Sequence, residues 1–314
     1  MDRTTLRLWI AVTAVVGTGF GLAAQPRGPA PDPLVRENAT VRLAPHTYLI
    51  PDNNVGLVPN VGMVIGSSAS LVIDPGLGRR NGETVLRELA KINHPPALFI
   101  ATTHFHPEHT TGYDAFPPEA KYVNSRVQET EFEQSGMSMV RTFAGRSAVT
   151  AELLKDAARR TADVTFDSDY IFDLGGVHVH AVLVGPTHTR GDTGFFVEED
   201  RVLFAGDVVM NESFLAASDV TSMAAWLRAF DTFDAMHPST IVPSHGATGP
   251  GTLIASNRAL MQTIASRAAA LKGAGKSADE TAAAIQAELT DAHPGWARAN
   301  GIAAAARAAY REAR

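Results

Sequence analysis

Residues 104–110 read His-Phe-His-Pro-Glu-His-Thr, which places three imidazoles and a carboxylate within six positions. They directly follow an apolar run, Ala-Leu-Phe-Ile-Ala, at residues 97–101. A buried strand that ends in such a turn directs several donors towards one point. Neutral imidazole and carboxylate are ligands for zinc and related divalent ions. A surface loop rich in histidine would give the same local pattern, so the downstream residues decide. The chain contains no cysteine, which excludes a disulfide framework, thiolate ligands and a cysteine nucleophile. Any metal must then be held by nitrogen and oxygen.

Three further stretches carry donors of the same kind. Residues 185–192 (Gly-Pro-Thr-His-Thr-Arg-Gly-Asp) form a turn after an apolar strand and supply His188. Residues 203–207 (Leu-Phe-Ala-Gly-Asp) end in Asp207, and residues 241–246 (Ile-Val-Pro-Ser-His-Gly) supply His245. Each donor lies at a strand end beside a small or turn residue, where a ligand can approach the backbone edge. An aspartate after glycine is by itself commonly a turn residue. Four ligand-bearing strand ends in one chain make a shared site the stronger reading.

The periodicities supply the frame. Residues 41–43, 47–50, 61–66 and 71–74 read as short strands, and the last two suit a hairpin. Residues 82–92 carry apolar side chains at helical spacing, and His94-Pro95-Pro96 stops that helix. With residues 98–102 this gives a strand–helix–strand unit whose site lies at the strand's carboxyl end. Ser125 is a candidate N-cap, residues 134–146 have no clean period and suit a lid over a cleft, and residues 150–160 read as a helix capped by Thr150. Strands follow at 164–166, 170–172, 177–184, 193–197 and 202–204. An amphipathic helix is expected at 222–236 and a last strand at 240–243. Alanine-rich helices are expected at 252–271, 277–289 and 294–314. They either pack on the domain or mediate self-association, and the oligomeric state is open.

At 314 residues, with 45% apolar and 19% charged side chains, the chain can bury a substantial core. Its net charge of −6 offers no basic field for nucleic acid. The N-terminus reads as an export signal: Arg3 and Arg7 precede an apolar stretch, residues 8–24, with small residues near its end. The division is therefore a signal peptide (1–24), a proline-containing linker (25–38), a main domain that holds the donor motifs (39–250) and a helical C-terminal extension (251–314). The apolar stretch is at the short limit for a bilayer span, so a membrane is a partner only if it stays uncleaved. A periplasmic or secreted location is expected.

The series His-x-His-x-Glu-His, Gly-x-Thr-His-Thr-x-Gly-Asp, Phe-x-Gly-Asp and Pro-x-His-Gly resembles the metallo-β-lactamase-fold hydrolases. Asp74, in Ile-Asp-Pro-Gly at residues 73–76, resembles the turn that precedes the histidine motif there. The resemblance spans residues 41–246. It implies an α/β (α+β) fold, an αββα sandwich with two zinc ions at one edge, here followed by the helical extension. By motif position His104, His106 and His188 would hold one ion. Glu108, His109 and His245 would hold the other, and Asp207 would bridge the pair. Two dications against two carboxylates lower the pKa of a shared water towards neutrality. The implied activity is hydrolysis of an ester, lactone, thioester or amide, a β-lactam among them, in a small-molecule substrate, with Glu108 and Asp207 as catalytic carboxylates.

Asp74 and Asp192 are expected to orient imidazoles through the second ring nitrogen. The family usually has Asp where this chain has Glu108. The extra methylene leads to the expectation that the second zinc binds more weakly or is absent. A different class is a non-hydrolytic metal protein on the same scaffold, an iron-dependent oxidoreductase or an exported accessory protein, because nitrogen and oxygen ligands also suit iron. His178 and His180 read as surface or cross-strand residues, and His46, His94, His237 and His293 as structural ones. Phe105, Tyr113, Met137, Met139, Phe143 and Phe214 suit either a pocket wall or the core.

Overall fold

The computed structural model describes residues 30–92 and 95–313. The expected signal peptide, the first part of the linker and His94 lie outside the described residues. No described helix is long and apolar enough to cross a membrane. Residues Pro31–Arg314 form one compact unit.

Two sheets carry the fold. The first contains β1 (Val41–Arg42), β2 (Thr47–Ile50), β3 (Val61–Ile65), β4 (Ala69–Ile73), β5 (Ala97–Ala101), β6 (Lys121–Ser125) and β7 (Val164–Phe166), side by side in chain order. It is antiparallel from β1 to β4 and parallel from β4 to β7. The change occurs where helix α1 (Gly78–Ala90) crosses from β4 to β5, since parallel neighbours need such a crossover. The second sheet holds β8 (Asp169–Asp173), β9 (His178–Leu183), β10 (Thr193–Val197), β11 (Val202–Gly206), β12 (Thr240–Pro243) and β13 (Gly249–Pro250), ordered β13-β12-β11-β10-β9-β8.

The central strands of both sheets, such as β4, β10 and β11, are buried on two faces, and alternate residues show why the sheets stack. Leu71 and Ile73 of β4 meet Phe195 and Val197 of β10 and Phe204 of β11 in one core between the sheets. Val72, one residue out of step, instead joins Val85 and Leu89 of α1 on the outer side of the first sheet. Likewise Leu203 and Ala205 of β11 face the outer helices of the second sheet. This period-two partition places helices outside and sheets inside, the αββα sandwich.

Helices α2 (Pro107–Thr110), α3 (Arg126–Glu131), α4 (Met137–Ala144) and α5 (Ala148–Leu154) connect the first sheet's later strands. Ser125 caps α3 as expected, accepting from the Gln128 N–H. The cap of α5 is Ser147 rather than Thr150, which sits at the third helical position and completes a reciprocal capping box. Residues expected as a lid form α4, whose Val140 and Phe143 pack with Leu153 and Leu154 in a small separate core.

Helix α6 (Met223–Ala235) and the C-terminal helices α7 (Leu253–Gly273), α8 (Ala278–Ala292) and α9 (Asn300–Glu312) cover the second sheet. Ile254, Met261, Ile285 and Ile302 enter the same cluster as Trp226 and Phe230 of α6, so the tail is packed on the domain. The third tail helix begins at Asn300, not at 294: Gly295 and Arg298 have left-handed φ values of 89° and 62°, which end helical continuation through the segment. Part of the expected linker is also folded. The Val35 N–H donates to Asn81 Oδ1 at 2.8 Å, and Asn81 Nδ2 donates to the Pro33 carbonyl at 2.9 Å.

Trp226 is fully buried, and its indole N–H donates to the Val208 carbonyl at 2.9 Å. Trp226→Ala is expected to cost about 3–5 kcal/mol of folding stability. Urea unfolding of the full chain, followed by circular dichroism, measures it.

Candidate metal centre

The donors stand at strand ends. Beyond β5 the chain turns through His104 and His106 into α2, whose first residue, Pro107, suits the start of a helix. Glu108 and His109 lie on that single turn. His188 belongs to the turn between β9 and β10, Asp207 follows β11 and His245 follows β12. Gly206, with φ of 61°, makes the turn into Asp207, and a Cβ there would lie 3.1 Å from Thr103 Cβ.

Fixed acceptors choose the ring orientation of four histidines. His109 Nδ1 donates to Asp74 Oδ2 at 2.9 Å, and His245 Nδ1 donates to the Val58 carbonyl at 2.8 Å. His188 Nδ1 donates to the Ala216 carbonyl. Thr103 Oγ1 donates to Asp74 Oδ2 at 2.8 Å, so its free lone pair receives His104 Nδ1 at 3.1 Å. The basic Nε2 of each ring therefore points away from these partners, which is how second contacts prepare an imidazole for a cation.

Two groups of donors result. Atoms of His104, His106 and His188 lie within 4.8 Å of one another, and so do atoms of Glu108, His109 and His245. His106 Nδ1 is 3.2 Å from His188 Nε2. That is close to the edge of about 3.4 Å of a tetrahedron with metal–nitrogen bonds near 2.05 Å. Asp207 lies beside the first group, with Oδ2 3.5 Å from His188 Nε2. Glu108, the odd member by sequence, falls in the second group despite its longer arm.

His104 Nε2, His109 Nε2, Glu108 Oε2 and Asp207 Oδ1 are buried and have no hydrogen-bond partner among the described residues. Orphaned buried donors and acceptors are costly, and four at one point call for an occupant. Divalent cations at the two donor groups fit these atoms, because each offers a lone pair. The electrostatics agree. Burial, reinforced by neighbouring imidazoles, holds His104 and His106 well below the usual histidine range. Burial is also the main cause that brings His245 down to about 3. Burial opposes protonation of His109 too, but Asp74, together with Glu108 and Asp207, outweighs it and raises that ring. Burial raises Glu108. It would raise Asp207 as well, but Arg298 and the imidazoles hold that carboxyl well below the carboxylate range.

Asp192 does not meet an imidazole as expected. It accepts from Thr187 Oγ1 and, at 2.8 Å, from the Thr189 N–H, closing the turn on which His188 rides. Asp74 fills the orienting role for His109 alone and also accepts the Thr103 N–H at 2.7 Å. Spacing gave no sign of Asp52, which receives the Gly246 N–H at 2.8 Å, or of Arg298, whose Nη1 donates to Asp207 Oδ2 at 2.7 Å. For Arg298 the only sequence signal is that Pro294 and Gly295 break the tail. A cleft of about 500 Å³ opens onto Glu108 and His245 and is lined also by Asp52, Leu57, Glu212 and Arg298. None of Met137, Met139 or Phe143 lines it. His178 and His180 lie outside this site, paired with Glu199 at 2.8 Å and Glu198 at 2.6 Å across strands.

A sequence profile of the metallo-beta-lactamase superfamily matches residues 55–245. This chain belongs to that superfamily. The lactamase-like protein vrtG of Penicillium aethiopicum is 23% identical over 213 residues, 67% of this chain and 59% of its own length. A linear primary-alkylsulfatase of a Pseudomonas strain is 23% identical over 215 residues, 59% of this chain and 40% of its own. The chain thus spans about half the length of these relatives. The solved sec-alkylsulfatase Pisa1 of Pseudomonas has the same fold, with a TM-score of 0.66 and 16% identity over 87% of this chain and 50% of that one. The superfamily match ends at His245, so α7 to α9 and Arg298 lie beyond it.

Asp74→Asn presents an amide where His109 needs an acceptor. The metal affinity of the Glu108–His109–His245 group is expected to fall about 10–100-fold, with a smaller change at the His104–His106–His188 group. Competitive titration with a chromophoric chelator separates the two.

Proposed function

We propose that this chain is a zinc-dependent hydrolase that cleaves an ester-class bond, carboxylic, thio- or sulfuric, in a small molecule outside the cytoplasm. The observation that carries the reading is the set of four orphaned buried atoms in and beside two donor groups, next to a cleft that Glu108 and His245 line. His104, His106 and His188 would hold one ion, and Glu108, His109 and His245 the other, with Asp207 between them. Bound divalent ions supply Lewis acidity and acidify water at neutral pH. Nitrogen and oxygen donors without thiolate suit zinc first and iron or manganese next.

The remaining work belongs to the protein. Asp74, Thr103, Val58 and Ala216 fix the imidazoles before any ligand arrives, so no reorganisation is needed on binding. Buried Asp207 is kept ionised chiefly by Arg298 and can link the two groups. Glu108 reaches the cleft, where one carboxylate oxygen remains without a partner and can receive or hold a proton. The names of the relatives support ester-class chemistry, the alkylsulfatase above all. Export is supported by Arg3, Arg7 and the apolar stretch that follows them.

Elemental analysis of the purified chain with a panel of esters, lactones, thioesters, alkyl sulfates and β-lactams tests the reading. His188→Ala is expected to lower turnover at least about 100-fold, the scale of several kcal/mol of lost charge stabilisation. Bound metal with no turnover of any panel member, or iron with redox activity, would sink the proposal. Glu108→Asp retracts the carboxylate by one methylene from a group built around the longer arm. Its second metal is expected to bind about tenfold more weakly; unchanged stoichiometry and kinetics would show that the two acids are equivalent there.

A further inference from the structure

Between α8 and α9 the chain runs through residues 293–299, and this segment is fixed on the stretch that follows Asp207. The Phe214 N–H donates to the Ala297 carbonyl at 3.0 Å, and Ser213 and Ala297 form a β-bridge. Phe214 packs on Trp296 with ring centroids 5.3 Å apart, and Trp296 stacks on His293 at 4.1 Å. Held this way, Arg298 adopts a left-handed backbone with φ of 62°. A non-glycine residue stays there only when its surroundings over-determine it, and such residues cluster at functional sites.

The result is one guanidinium beside the donor groups. Arg298 Nη1 donates to Asp207 Oδ2 at 2.7 Å, while the side chain keeps 27% of its surface exposed. Among the described residues it is the single lysine or arginine lining the cleft, together with Glu108 and His245. Among the described residues Asp207 is the one hydrogen-bond partner of the guanidinium. The rest of its planar fork of donors is therefore open to a ligand.

We infer that Arg298 is the anion receptor of the cleft: the substrate carries a negatively charged oxyanion group, carboxylate or sulfate, that seats on this guanidinium beside the two donor groups. The inference rests on the hydrolase reading and gives that reading a substrate class. A fixed positive charge beside a cation site repels the cations. In the metal-free chain Asp207 offsets it. If Asp207 also served bound dications, the guanidinium would be surplus positive charge with free donors, the condition under which an arginine recognises an oxyanion. Asp52, Glu108 and Glu212 are the carboxylates that line the same cleft, so within the lining the guanidinium is the charged group that attracts an anion. Arg298 is a positioning and specificity residue, and the bond-breaking chemistry stays with the donor groups.

The test titrates the zinc-loaded full chain and its R298K and R298M variants calorimetrically, in separate arms with sodium sulfate and sodium acetate at constant ionic strength. Zinc content is measured on every sample. R298M is expected to weaken at least one anion about tenfold or more, the scale of a charge-assisted hydrogen bond. R298K, which keeps the charge without the fork, is expected to retain part of the affinity. The arm that loses more identifies the oxyanion. Affinities within twofold of the parent for both anions would overturn the inference. A rise in zinc content with unchanged anion binding would do the same, by making Arg298 merely the counter-ion of Asp207. Should R298M fail to fold, R298K binding both anions as tightly as the parent would overturn it.

Kinetics give a second readout. For a half-ester such as mono-p-nitrophenyl succinate, R298K is expected to raise KM more than for p-nitrophenyl butyrate, with the smaller change in kcat. If the parent turns over neither ester nor any other panel member, the hydrolase reading fails, and the anion titration still decides the role of Arg298.

Discussion

A buried imidazole is useful as a ligand only if its other nitrogen is already satisfied, and the centre of this structure is arranged around that constraint. Asp74 shows how the sandwich meets it. Its backbone is left-handed, with φ of 58°, at the end of β4. From there one carboxylate reaches the neighbouring strand end, taking the Thr103 N–H and hydroxyl and the His109 ring together. Thr103 in turn meets His104 and lies 3.4 Å from Ser244 Oγ, beside His245. Strand ends from both sheets are thus tied through one aspartate and one threonine. The parallel pairing of β4 with β5 and of β11 with β12 brings these ends to the same place.

The same burial that keeps the imidazoles neutral would destabilise the carboxylates, and the protein answers with different counter-charges. Asp74 has His109, and Asp207 has Arg298 and a ring of histidines. Asp192 is buried without a cationic hydrogen-bond partner; it accepts from Thr187 and Thr189 instead, and burial raises its carboxyl. The C-terminal helices therefore do more than cover the second sheet. Their apolar faces complete the core around Trp226, and the loop between the last two carries a charge to the centre.

Strand and helix positions were largely legible because both sheets alternate apolar residues between two cores, a period that survives in the sequence. Boundaries were less so. Helix α1 starts one turn earlier than its apolar spacing shows, since Gly78 and Asn81 are buried by packing and not by hydrophobicity. The segment at 137–144 lacks a clean period because its partners are the short helix α5 and residues near Leu77, a core too small to impose one. Residues 33–38 fall at the end of the stretch read as a proline-containing linker, yet they are held by hydrogen bonds with α1.

The sequence by itself determined the donor types, the superfamily pattern and the oddity of Glu108, because each motif is local and sits beside its own strand. Only the tertiary structure decided which acceptors orient which rings, that Asp192 serves a turn and not an imidazole, and that Arg298 meets Asp207. Those pairings join residues far apart in the chain, 91 positions in the last case. No local periodicity encodes such a distance; it follows from how the extension packs on the second sheet.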